Sequence, residues 1–251
     1  MSAPLTFHPS YSQRKAKYFN SPEAWYQTNY EPNFSCPFEK RIGYNMNGDG
    51  PKWICDPHRI KKIAIERKAK DPNHPGCVIY SIGSNGDFNF ELGMQKELGE
   101  GTCEIHIFDP GAYGHLVPKE LKRTFYHPWA LEKQQENVTT PEKGLEKYGL
   151  NDIIKLLGHE HLDVIDVFKI DCDKCEWRTY MDWLADGIPM LHQIQVEVHG
   201  APGGKVIDFF DTFEKNGYLR FHKEPNIQFD PSCLEYAFLK VDPAFMEGKI
   251  V

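Results

Sequence analysis

Three stretches of this 251-residue sequence place glycines, carboxylates and imidazoles where a ligand could be held. The first is Ser81-Ile82-Gly83-Ser84-Asn85-Gly86-Asp87, at the end of an apolar run that begins at Cys77. Its glycines let the backbone approach a ligand closely before a helix begins near Phe88. The second is Phe108-Asp109-Pro110, closing the next apolar run. A carboxylate there can accept two hydrogen bonds from the vicinal hydroxyls of a ribose, and its charge rejects a phosphorylated ribose. The third set is Asp171, Glu197 and His199, at the ends of two further runs. Glu197 lies inside the apolar stretch HQIQVEV and must find a partner. These three groups could act as a general base toward a hydroxyl, or two carboxylates and an imidazole could hold a divalent metal. No diagnostic metal spacing links them, so the metal-free reading is preferred and no metal ligand is assigned.

A glycine turn after one strand and an acid after the next point to an adenosine-containing cofactor. A dinucleotide normally requires G-x-G-x-x-G, with its pyrophosphate at the helix start. Here only Gly83 and Gly86 are present, and Asp87 stands where the helix begins. Negative charge repels pyrophosphate but suits a cationic ligand such as S-adenosylmethionine.

The elements that must position these groups alternate. Short apolar runs predict strands over residues 77–82, 103–108, 123–127, 164–170 and 191–198, with helix-period segments between them. Two last strands, 218–223 and 233–241, have no helical segment between them and predict an antiparallel edge. The fold expected is therefore α/β: a doubly wound, mostly parallel seven-stranded sheet with an antiparallel edge and an N-terminal extension. Trp177, Tyr180, Met181 and Leu184 fall at helical spacing before Gly187, and Val206, Phe209, Phe210 and Phe213 do so before Gly217; both stripes read as core faces. Thr139-Thr140-Pro141-Glu142 offers a helix start for a segment running through Leu157. Residues 1–76 carry 12 Lys/Arg against 7 Asp/Glu, while the remainder carries 17 against 29. That shift divides an extension, 1–76, from a cofactor-binding domain, 77–251, and the extension is expected to fold over the cofactor mouth. In it a basic helix over 57–70 should bury Ile60 and Ile63, and the aromatics Tyr18, Phe19, Trp25, Tyr26 and Tyr30 should pack it onto the domain or line a sugar site.

Residues 77–241 resemble class I S-adenosylmethionine-dependent methyltransferases, most of all the FkbM-like and methyltransferase-like proteins. Ile82-Gly83-Ser84-Asn85 is similar to the family's V-G-A-N turn, Phe108-Asp109-Pro110 to its F-E-P, and Lys169-Ile170-Asp171 with Glu176 to its K-I-D-V-E-G-x-E. Glu197-Val198-His199 is similar to its E-I-H. Upstream, Gly48-Asp49-Gly50-Pro51-Lys52-Trp53-Ile54-Cys55 resembles G-D-G-G-K-W-V-C. Ser81, Asp87 and Lys174 depart from the pattern. The resemblance implies a Rossmann-like fold and cofactor contacts at Gly83, Asn85 and Asp109; Ser81 and Gly86, in the same turn, are also expected to bind the cofactor. It also implies Asp171 facing substrate or cofactor, with His199 and Glu197 as the further catalytic candidates. The activity expected is methyl transfer, to a hydroxyl of a small molecule or sugar. A nicotinamide-dependent oxidoreductase and a catalytically silent relative are the alternatives.

Composition narrows the remaining classes. A net charge of −7 offers no generic affinity for nucleic acid. No apolar run reaches the roughly 18 residues of a membrane span, and no apolar leader is visible. Seven irregularly spaced cysteines suggest reduced thiols and a cytoplasmic protein, although Asn33-Phe34-Ser35 and Asn137-Val138-Thr139 are sequons. Cys172-Asp173-Lys174-Cys175 lacks the second pair of a zinc site. Gly158-His159-Glu160-His161 resembles a metal triplet, but histidines at a helix C-terminus are already accounted for by the helix dipole.

Overall fold

The structure, a computed structural model, describes residues 26, 29–43, 50–134, 146–200, 204–226 and 232–246. Strands β3 (Cys77–Ile82), β4 (Cys103–Phe108) and β8 (Val164–Ile170) are buried on both faces, as near-continuous apolar runs in a parallel sheet must be. With β5 (Thr124–His127), β9 (Met190–His199), β10 (Tyr218–Pro225) and β11 (Cys233–Lys240) they form a seven-stranded sheet in the order β10-β11-β9-β8-β3-β4-β5. Strands β9, β8, β3, β4 and β5 run parallel, whereas β11 runs antiparallel to both β9 and β10. The sheet with its antiparallel edge is the one expected. From β3 the chain steps outward to β4 and β5, then returns to β8 on the other side, so the order reverses between β3 and β8. At such a switch point loops diverge and leave a crevice at the carboxyl ends of the strands.

Alternation along the strands feeds two cores. Val78, Tyr80 and Ile82 face α3 (Leu150–Leu156) and α5 (Gly204–Lys215), while Cys77 and Ile79 face α1 (Pro57–Lys70) and α2 (Asn89–Leu98). On α5, Val206, Phe209, Phe210 and Phe213 are fully buried, the core face their spacing predicts. The stripe at Trp177 forms differently. A short helix α4 (Glu176–Thr179) and a 3₁₀ turn replace one helix, so Trp183 enters the core and Met181 is 57% exposed. Helix α1 starts with Pro57 in its first turn and Asp56 accepting from the Arg59 N–H at 3.1 Å. It buries Ile60 and Ala64, with Ile63 only half-buried. Arg67 near its end bonds both oxygens of buried Asp166 at 2.8 and 3.0 Å. The helix start proposed at Thr139 lies outside the described residues, as do Tyr18, Phe19 and Trp25. Tyr26 and Tyr30 are core residues, Tyr30 stacking on Phe210 at 3.9 Å.

Two pairings have no counterpart in the sequence reading. Strands β1 (Glu39–Ile42) and β2 (Lys52–Cys55) form an antiparallel pair that packs against β9 and β11. Gln193 fixes it there, accepting from the Cys55 N–H at 2.8 Å and donating to the Cys55 carbonyl at 2.6 Å. Strands β6 (Trp129–Leu131) and β7 (Glu146–Tyr148) form a short parallel pair. No helix among the described residues is long and apolar enough to cross a membrane.

The cysteines correct the expectation of reduced thiols. Cys36–Cys55, Cys77–Cys103 and Cys172–Cys175 are disulfides, and buried Cys233 is the free thiol. The irregular spacing hid this because two of the bridges depend on strand register: Cys77 lies directly beside Cys103, and Cys55 ends β2. Titration of protein unfolded without reductant should therefore find one thiol per chain; seven would show that the bridges do not form.

Candidate active site

The carboxyl ends of β3, β4, β8 and β9 open into a cavity of about 850 Å³. Gly83 sets its floor. At φ 75° it adopts a conformation that favours glycine, and a Cβ there would lie 1.6 Å from the Asp171 carbonyl oxygen. Its N–H donates to the Phe108 carbonyl at 2.8 Å, and the Asp171 N–H donates to the Ile82 carbonyl at 3.0 Å, so three strand ends are stitched together. Buried Lys169 donates from Nζ to the carbonyls of Ile82, at 3.2 Å, and Gly83.

Asp109 clamps the turn. Oδ2 accepts from the N–H groups of Ser84 at 2.9 Å and Asn85 at 2.7 Å, and Oδ1 accepts from the Gly111 N–H at 2.8 Å. That holds Asn85 at φ 47°, with its side chain accepting from the Tyr113 hydroxyl at 3.0 Å. Substituting Asp109 would consequently disturb the loop as well as any ligand, which its position beyond the strand did not suggest.

Of the residues expected from sequence, Gly83, Asn85, Asp109, Asp171, Glu197 and His199 all line the cavity. Ser81 and Gly86 do not. Ser81 is fully buried within the strand, beside Glu91, and Gly86 faces the Tyr113 ring. Seven carboxyl groups, including Asp87, Glu91 and Asp173, line the cavity against the basic side chains Lys147, Lys169, Arg178 and His199.

The far wall is an ionic cluster. Lys52, 1% exposed on β2, bonds Asp171 Oδ2 at 3.2 Å and also Glu235 Oε1. Burial alone would raise the Asp171 pKa, but the Lys52 and Lys169 ammoniums override it and hold the carboxyl well below its usual range. Glu197 behaves oppositely. Burial, with the negative Asp171 and Glu235 beside it, pushes its pKa up to about 9, although Asn226 Nδ2 donates to Oε1 at 2.9 Å. His199 is raised too: burial opposes the charged imidazole, but a hydrogen bond to Glu176 and the charges of Glu176, Glu197 and Asp171 prevail.

Glu176 is fully buried and receives both the His199 N–H at 2.8 Å and Nδ1 at 3.1 Å. This orients the ring so that Nε2 faces the cavity, 3.5 Å from Asp173, 3.9 Å from Asp171 and 4.0 Å from Glu197. Such a carboxylate–imidazole pair can accept a proton at Nε2 while Glu176 stabilises the resulting charge. Lys52, Glu176 and Glu235 were not assigned from sequence. For Lys52 and Glu235 the available signal was a charged residue inside an otherwise apolar strand, as in KWIC and CLEYAF.

Among solved structures the chain is similar to a chain of the fibrillarin/Nop5p complex, at 11% identity and a TM-score of 0.40, covering 79% of this chain and 89% of that one. No curated protein matches the sequence significantly. The sequence does match a family described as a methyltransferase domain, over residues 3–240. A match across both the amino-terminal third and the seven-stranded sheet places the chain in one group: it belongs to the methyltransferase-domain family.

Proposed function

We propose that this chain transfers a methyl group from S-adenosylmethionine to a hydroxyl oxygen of a small molecule or sugar. The observation that carries the reading is the acid-rich cavity at the switch point of the sheet, floored by the Gly83 turn. Its carboxylates suit a ligand bearing sulfonium and ammonium charges, and Asp87 at the turn disfavours the pyrophosphate of a nicotinamide dinucleotide. The Gly83–Asn85 turn and Asp109 would hold the cofactor, the latter with acceptor capacity left on Oδ1. When bound, the cofactor supplies an electrophilic methyl group, so positioning accounts for much of the catalysis.

His199, oriented by Glu176, is the candidate base for the acceptor hydroxyl; Glu197 stands beside it, and Asp171, tied to Lys52, is a weak base and a fixed anion. A positive ligand beside Glu197 and His199 favours their less protonated forms, which frees Nε2 to take the hydroxyl proton. Lys52 Nζ lies between Asp171 and Glu235, supplying there the positive charge that a divalent ion would otherwise bring. The β6–β7 pair carries Trp129 and Lys147 to the cavity wall, an aromatic and a cation suited to a polyhydroxylated acceptor. The three disulfides support an oxidising compartment rather than the cytoplasm.

S-adenosylhomocysteine at a hundredfold excess over its Kd should stabilise the protein by about 2.7 kcal/mol, raising Tm by about 5–10 °C, while NAD and NADP leave it unchanged. A shift with NAD alone would overturn the reading. The pH dependence of binding is a second test. Glu197 and His199, both raised to about 9, hold protons at pH 7 in the free protein. A cationic sulfur disfavours those protons, so the complex binds fewer of them and affinity rises with pH. The preference for S-adenosylmethionine over the neutral-sulfur homocysteine product should therefore grow between pH 7 and 9, by up to about tenfold per pH unit for each proton released. Glu197→Gln should flatten that rise. A pH-independent ratio in calorimetry would remove both groups from the neighbourhood of the sulfur.

A further inference from the structure

We propose that Glu104, His106 and His159 form a binding site for a divalent transition metal of the zinc class, separate from the cavity at the strand ends. Glu104 and His106 are two residues apart on β4, so strand alternation puts both on one face. His159 reaches the same point from the 3₁₀ turn that follows Gly158, a left-handed residue at φ 68°. His106 and His159 each direct Nε2 at a single atom, Glu104 Oε1, at 2.9 and 3.3 Å. The candidate ligand atoms of the three residues lie within 4.8 Å of one another. Metal–ligand bonds of 2.0–2.1 Å in a tetrahedral site separate neighbouring ligand atoms by about 3.3 Å. Two imidazole nitrogens and one carboxylate oxygen are the donor set of zinc and its neighbours.

The surroundings are what set this cluster apart from a chance meeting of polar groups. Metal-binding histidines use their second nitrogen to fix ring orientation, and ligating carboxylates are held in the same way. All three residues have such a partner. His159 Nδ1 meets the Tyr80 hydroxyl at 2.8 Å, and His106 Nδ1 meets His127 Nε2 at 3.0 Å. Glu104 Oε2 accepts from Arg123 at 3.0 Å, which leaves Oε1 to the imidazoles. Arg123 is itself a left-handed residue, φ 51°, whose guanidinium is also anchored on the carbonyls of Pro75 and Gly101. The imidazoles are 5% and 7% exposed but the Glu104 side chain is 21% exposed, giving solvent a way to the remaining coordination position. In the GHEH stretch only His159 takes part; exposed His161 instead bonds the Gly158 carbonyl. A bound ion would pin the turn after α3 to β4.

The experiment is a titration of Co²⁺ into the full chain, freed of metal by a chelator and followed by visible absorption. One Co²⁺ per chain is expected, with the d–d bands of a nitrogen–oxygen site, no thiolate charge-transfer band, and displacement by Zn²⁺. Glu104→Gln and His159→Asn should abolish the signal. Should either fail to fold, Tyr80→Phe, which removes only the hydroxyl on His159, should weaken binding by about 10–100-fold. Folded wild-type protein that takes up no Co²⁺ would leave the cluster as a closed hydrogen-bond network and overturn the site. A thiolate band, or variants that bind as wild type does, would place the ion elsewhere and overturn it equally.

Discussion

One buried ammonium organises the site. Removing Lys52 from water carries a large desolvation cost, offset only by close contact with Asp171 and Glu235. Those contacts help set the charge of the neighbouring carboxyls. Burial already disfavours a charge at Glu197, the negative Asp171 and Glu235 around Lys52 disfavour it further, and Glu197 keeps its proton. His199, hydrogen-bonded to Glu176 and close to ionised Asp171, keeps one as well. The same contacts explain how a two-stranded hairpin with little core of its own stays on the sheet. Its strand β2 ends in an amide clamp to Gln193 and begins at Lys52, which the ion pairs hold.

The sheet was legible because its strands obey a simple rule: a strand covered on both faces reads as a mostly apolar run, and β3, β4 and β8 do so, interrupted only by Ser81, by Glu104 and His106, and by Asp166 and Lys169. The antiparallel edge was legible because no helical period separates β10 from β11. The hairpin was not, since KWIC carries a lysine whose partners lie 119 and 183 residues away, a relation no local pattern encodes. Gly83, Asn85, Asp109, Asp171, Glu197 and His199 could be placed at the cavity because each sits at or just beyond the carboxyl end of a strand, where an open α/β sheet holds its ligand. Their electrostatic ranking could not be read in the same way. Asp171 and Glu197 are both carboxylates at strand ends, yet they move in opposite directions: the Lys52 and Lys169 ammoniums hold Asp171 down against its burial, whereas burial and the negative Asp171 and Glu235 push Glu197 up. Ser81 misled because a residue just before the turn still belongs to the strand, and its side chain is buried there.

Asp109 illustrates how a scaffold and a contact can be one residue. The carboxylate that could meet a ribose already holds two backbone N–H groups of the turn and one of its own loop. Ligand contact there thus draws on an oxygen fixed before anything binds, and the residue cannot be read as purely structural or purely functional.

The bridge between Cys77 and Cys103 acts at a distance of one strand length. It joins the first residues of β3 and β4, while the last residues of the same two strands carry the Gly83 turn and Asp109. Adjacent parallel strands can in principle creep past one another by a fraction of a residue, shifting every group at the far end. A covalent tie at one end and two backbone hydrogen bonds from the Ser84–Asn85 turn to Asp109 at the other remove that sliding freedom. The half-site made by β3 and β4 is then a preset jaw whose geometry does not have to be assembled at the moment of capture, so little ordering entropy is lost there when a ligand arrives.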